Sequence, residues 1–233
     1  MKGLLLLSLV GVLAGRVVVV LPPEPPTIAS PAAGVPSDAT VLFDGATLEG
    51  WTTLGGSPAG WTLMPESRAM RVKGGTGNIV SRERFLDCQL HLEFRTPSPA
   101  TGEGQNRGNS GVYFHGRYEV QVLDSWKSST YPDGQCGAIY GKRPPLVNAS
   151  REPGQWQTYD IVFRAPRFNA DGVKTESARL TVLHNGVLIH DNAPVDSPTG
   201  AAAYAKEEPG PGGLMLQDHG CEVEYRSIWI RRL

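Results

Sequence analysis

The 233-residue chain is 40% hydrophobic and 19% charged, with 28 glycines and 19 prolines, a profile of many turns and few long helices. Its formal net charge is -1 and no run of five basic residues occurs, which removes nucleic acid and an obligatory anionic membrane surface from the expected partners.

The opening MKGLLLLSLVGVLAG sets Lys2 before an apolar run, the layout of a secretory leader. Arg16 interrupts the run, which resumes as VVVVL, so residues 1–20 read either as a leader or as an uncleaved N-terminal anchor. Neither a clean small-x-small cleavage site nor a lipidated cysteine after Leu13-Ala14-Gly15 decides between them. Both readings imply bacterial-type export to an extracytoplasmic location, periplasmic or secreted, with membrane contact only through the anchor. Leu21 to Asp38, LPPEPPTIASPAAGVPSD, offers nothing to bury and makes residues 21–40 a semi-rigid linker. A single domain is expected over 41–233.

Alternation with period two then recurs. CQLHLEFRT (88–96) separates Leu90, Leu92 and Phe94 from Gln89, His91, Glu93 and Arg95. SGVYFHGRYEVQVLD (110–124), WQTYDIVFRAP (156–166) and ARLTVLHNGVLIHD (178–191) continue the series, and Asn185-Gly186 marks a tight hairpin. MLQDHGCEVEYRSIWIRRL (215–233) is expected to close the chain as another antiparallel pair. Short turns without intervening amphipathic helices predict an all-β sandwich or jelly roll of antiparallel sheets. Cys88, Cys136 and Cys221 lack any C-x-x-C spacing; Cys136 and Cys221, both in glycine-rich turns, are the candidate disulfide, and Cys88 is expected to be buried in its strand.

Three clusters carry polar chemistry. On Tyr118–Leu123, Tyr118, Val120 and Val122 share a face, so Glu119 and Gln121 point to the other, where Asp124 joins them only through a bulge. Two acids on a solvated strand face are the structural alternative. The second cluster, Gln217-Asp218-His219-Gly220, follows an apolar strand end; its histidine could act as base, acid or metal ligand, or the segment could be an ordinary polar turn. The third, Gln105-Asn106-Arg107-Gly108-Asn109-Ser110, combines a guanidinium with amides suited to hydroxyls and carbonyls, although loop amides commonly cap turns. Tyr140 and Trp126 offer flat surfaces for a pyranose ring, or core packing. Motifs for serine hydrolysis, phosphate cradling and zincin chemistry are missing from any supporting context, which leaves carbohydrate as the expected substrate.

LFDGATLEGW (42–51), NSGVYFHGRYEVQVLDS (109–125), GAIYGKRPP (137–145), WQTYDIVFRAP (156–166), TVLHNGVLIHDN (181–192) and LQDHG (216–220) together resemble the 3-keto-disaccharide hydrolase family. Cys136 and Cys221 depart from that pattern without touching an acid or the histidine. The resemblance implies a concanavalin-like jelly-roll sandwich of two antiparallel sheets and an activity on 3-keto-glycosides. A ketone at C3 acidifies the C2 hydrogen; a base removes it, the enolate expels the C1 substituent, and water adds back. In that scheme Glu119 or His219 is the base, and Arg107, Asn109 and a divalent cation are candidates for holding the enolate oxygen. Asp124 and Asp218 would orient the histidine or hold the metal, while Gln121, Tyr140 and Gln217 bind substrate. The alternatives are a non-catalytic carbohydrate-binding module, a retaining glucanase built on the Glu119-Gln121-Asp124 spacing, and a purely structural surface protein.

Overall fold

The computed structural model describes residues 11–13, 16–18, 25–29, 34–204 and 206–233. It divides into two units, Met1–Ser37 and Asp38–Leu233. In the first, Gly11–Leu13 pairs with Arg16–Val18; the rest of the expected leader or anchor over 1–20 lies outside the described residues, as do residues 21–24 and 30–33 of the expected linker. Among the described residues no helix is long and apolar enough to cross a membrane.

The second unit contains β1 (Thr40–Phe43), β2 (Trp51–Thr53), β3 (Thr62–Met64), β4 (Ala69–Arg71), β5 (Ile79–Phe85), β6 (Cys88–Arg95) and β7 (Asn109–Phe114). It continues through β8 (Tyr118–Leu123), β9 (Gln157–Arg164), β10 (Ala178–His184), β11 (Val187–Val195), β12 (Gly212–Leu216) and β13 (Glu224–Arg232). A five-stranded sheet runs β8-β7-β12-β5-β2; a larger sheet runs β11-β10-β9-β6-β13-β4-β3, with β1 also on β13. The pairs are antiparallel throughout, giving the expected all-β sandwich.

Alternation sets the core. Leu90, Leu92 and Phe94 of β6, Tyr159, Ile161 and Phe163 of β9, and Leu180 and Val182 of β10 point inward from one sheet. Val112, Phe114, Tyr118, Val120, Val122, Leu214 and Leu216 point inward from the other. Phe114 stacks on Phe163 across the layers at 4.5 Å between ring centres. The Asn185-Gly186 hairpin uses positive φ at both residues, 52° and 78°, the backbone that a two-residue turn of right-handed twist requires.

The expected pairing within 215–233 does not form. β12 lies between β7 and β5 in one sheet, and β13 lies between β6 and β4 in the other. Residues 217–223 carry the chain across the sandwich, so that Leu214 and Leu216 meet the core from one side and Tyr225 and Ile228 from the other. Alternation gives each strand's facing but not its partner. The expected Cys136–Cys221 bridge is also absent: all three cysteines are free. The buried Cys136 thiol lies 3.2 Å from the Tyr159 hydroxyl, and Cys221 donates to the Arg107 carbonyl at 3.4 Å. Cys88 is buried within β6.

Candidate active site

The β7–β8 hairpin turns through His115-Gly116, both at positive φ, and sets Glu119 opposite Tyr113, Gln121 opposite Gly111 and Leu123 opposite Asn109. With Val120 and Val122 in the core, Glu119 and Gln121 project from the outer face of the five-stranded sheet. That face is not solvated there. The chain at 137–140 runs along the free edge of β8, with Gln121 N–H donating to Ala138 O and Gly137 N–H to Gln121 O, both at 2.9 Å. Tyr140 N–H reaches Glu119 O at 3.3 Å, and the Glu119 amide donates to the Thr199 hydroxyl at 3.3 Å. These two segments satisfy an otherwise open strand edge and roof the outward side chains.

Under the roof lies a cavity of about 50 Å³ bordered by Gln105, Asn109, Glu119, Gln121, Tyr140, Ala201, Gln217 and His219. A cavity needs ~10–15 Å³ to hold one water, so this one admits a few water-sized groups such as the hydroxyls along one edge of a ring, and the rest of a ligand must lie across the mouth, where His219 is exposed and Tyr140 half-buried. Glu119 is 1% exposed, and its Oε2 has no hydrogen-bond partner. Burial raises the carboxyl pKa from 4.5 to about 8, against the opposing pull of the Tyr113 hydroxyl. Gly111 makes the space: a Cβ there would collide with Glu119 Oε1 and the Tyr113 ring.

Amides complete the lining. Asn109 donates to the Gln105 carbonyl at 2.8 Å, leaving its buried Oδ1 unpartnered beside Glu119. Gln121 Nε2 donates to Gln105 Oε1 at 3.1 Å, and Gln217 Nε2 to the Tyr113 hydroxyl at 3.1 Å, so each amide keeps a second N–H. Gln217 is held from beneath: Tyr225 donates to Ser110 Oγ at 2.7 Å, and Ser110 to Gln217 O at 2.6 Å. Tyr159 crosses the core to donate to Gln121 O at 2.6 Å. The cavity is therefore tied to both sheets by buried hydroxyls.

Of the residues expected from sequence, Glu119, His219, Asn109, Gln121, Tyr140 and Gln217 gather around this cavity. Arg107, Asp124 and Asp218 do not. β8 pairs with β7 through Leu123 without a register shift, so no bulge turns Asp124 into line. Asp124 is instead buried against Arg107, with Nη2 and Nε at 2.6 Å and 2.9 Å from Oδ2, while Oδ1 accepts the Trp126 amide. Asp218 accepts Gly77 N–H on one oxygen and Gly220 N–H on the other, each at 2.9 Å, a turn-forming role. No group of three or more His, Cys, Asp or Glu that could hold a metal occurs among the described residues. Trp126 stays outside the lining, with Lys127 over its ring at 5.4 Å. Sequence reasoning missed Tyr113, Gly111 and the role of Gln105. Counting back from a three-residue turn, His115-Gly116-Arg117, places Tyr113 across from Glu119 and was the available signal.

An antiparallel sandwich with one buried carboxyl in an amide-lined hollow defines a class of site fitted to polyhydroxylated ligands. The chain belongs to the 3-keto-alpha-glucoside-1,2-lyase-like domain family, whose model matches residues 38–231. It is similar to a proposed glycosyl hydrolase from Parabacteroides distasonis ATCC 8503, at 38% identity over 92% of this chain and 94% of that one, with a TM-score of 0.84. A second structure of a proposed glycosyl hydrolase from the same organism shares the fold at 19% identity and a TM-score of 0.59, covering 84% of this chain and 94% of that one. No curated protein matches the chain.

Proposed function

We propose that this domain cleaves 3-keto-glycosides by moving a proton at C2, with Glu119 as the base. The observation that carries this reading is the solitary buried carboxyl of Glu119 beside unspent amide N–H groups. A conventional retaining glycosidase needs two carboxyls about 5–5.5 Å apart, and Asp124, the candidate second, is bound to Arg107 instead. A C–H next to a ketone needs only one base, of higher pKa than an ordinary carboxylate, and donors at the ketone oxygen.

In the first step the Glu119 carboxylate takes the C2 proton and the electron pair moves into the C2–C3 enolate, whose oxygen accepts the spare N–H groups of Gln121 and Gln217. Collapse of the enolate breaks the C1–O bond, and His219 at the mouth protonates the departing oxygen. Once the leaving group has gone, the Glu119 carboxyl exchanges its proton with solvent; water then adds to C1, its proton passing to His219, while Glu119 protonates C2, so the balance is hydrolysis and both groups return to their starting states. Arg107, expected at the enolate, plays no part here because Asp124 holds it. Export through residues 1–20 belongs to the same proposal. Glu119→Gln and His219→Ala assayed on a 3-keto-glucoside should lose at least about 100-fold in kcat; near-wild-type rates in both would end the assignment.

A further inference from the structure

The outer face of the five-stranded sheet carries a second and larger hollow, a groove of about 470 Å³ over β12, β5 and β2. Glu119 faces Tyr113, Tyr113 faces Met215, and Gly213 lies two residues further along β12, so the groove shares the face of the cavity at roughly 10 Å, two strand spacings from β8. Gly212 leaves room for the imidazole of His115, since a Cβ there would meet its Cγ at 2.5 Å.

The charge around this groove is unbalanced. Arg82, Arg84 and Arg117 line it, with Glu208 as the lining carboxylate. Arg82 donates to the Glu49 carbonyl at 2.9 Å, and Arg84 to the Pro211 carbonyl at 2.6 Å and 3.1 Å. Neither has a carboxylate partner among the described residues. Arg117 lies 4.0 Å from Glu208, which Lys206 also approaches at 3.6 Å. His115, 4% exposed, borders the groove but turns its ring to the core, 5.7 Å from Phe85 and 5.1 Å from Phe163 between ring centres. Tyr204, 42% exposed, packs its ring against Arg117 at 5.3 Å and forms one wall. Guanidiniums held by backbone carbonyls are pre-oriented yet unneutralised, and an aromatic wall suits a sugar ring.

We propose that this groove binds the anionic group of a saccharide, giving the sheet a subsite for a charged sugar beside the Glu119 cavity. The choice of a sugar rests on the function proposed above; the choice of an anion rests on the arginines alone. Planar guanidiniums donate to a carboxylate or a sulfate ester in the same two-point manner, so a uronate and a sulfated sugar are the two sources to separate.

The test is calorimetric titration of the full chain at low ionic strength with glucuronate, glucose 6-sulfate, glucose and inorganic sulfate. At least one anionic sugar is expected to bind about tenfold more tightly than glucose, the tighter one identifying the source. The preference should vanish at high salt and in Arg82→Gln/Arg84→Gln, and persist in Glu119→Gln. Both arginines are exposed, so the double variant should fold; Tyr204→Ala, expected to weaken binding of the same sugar, serves as the independent variant. Equal binding of glucose and both anions, a preference that survives the arginine substitutions, or inorganic sulfate matching the anionic sugars would overturn the proposal. Turnover by Glu119→Gln is read separately, so loss of the subsite and loss of the acid–base assignment remain distinguishable.

Discussion

Replacing Glu119 by Gln should make the protein more stable, and increasingly so as pH rises. The folded carboxyl has its pKa raised from 4.5 to about 8 by burial. Between those values the folded chain holds a proton that the unfolded chain releases, so stability falls with rising pH. The penalty is absent well below pH 4.5 and complete above pH 8. At about 1.4 kcal/mol per pH unit, it reaches a ceiling of about 5 kcal/mol, with roughly 1 kcal/mol already present at pH 5. Water entry and relaxation around the cavity lower that ceiling, and about 2–4 kcal/mol is the expected gain of Glu119→Gln over wild type at pH 8.5. Urea unfolding of both proteins at pH 5 and pH 8.5 isolates the effect, because every other titrating group cancels in the difference. An equal difference in stability at the two pH values would refute the buried, proton-retaining carboxyl.

Other substitutions separate chemistry from scaffold. Gly111→Ala should abolish turnover and cost about 1–3 kcal/mol in thermal unfolding, since its Cβ occupies the place of the Glu119 carboxylate. Arg107→Met should destabilise by about 3–5 kcal/mol by stranding the buried Asp124, while KM of the folded enzyme stays within about twofold. If Glu119 is the base, the residual kcat/KM of His219→Ala, free of the acid's titration, should rise about tenfold per pH unit and level off above pH 8; a profile that falls through that range would assign Glu119 as an acid.

Much of this architecture was legible in the sequence because burial on one face writes itself as alternation. Leu90, Leu92 and Phe94, or Val120 and Val122, could hardly face elsewhere. The same rule gave Glu119 and Gln121 a shared outward direction but not their surroundings, since the segments covering them, 137–140 and Thr199, come from distant turns. Asp124 misled because acid spacing along a strand says nothing of an arginine at position 107 waiting beneath the loop. The strands from Thr40 to Arg71 were too short for a period to show. β12 and β13 looked like a hairpin because their connection is short, yet it spans the sandwich rather than turning back within a sheet.

The central claim is that Glu119 exchanges a carbon-bound proton of an oxidised sugar. Turnover of a 3-keto-glucoside in deuterium oxide, followed by proton NMR of the released sugar, tests it most directly after correction for non-enzymatic exchange in a protein-free control. The account predicts deuterium at C2 with the wild-type protein and none above that control with Glu119→Gln. Hydrolysis by the wild type that leaves C2 fully protonated would contradict it.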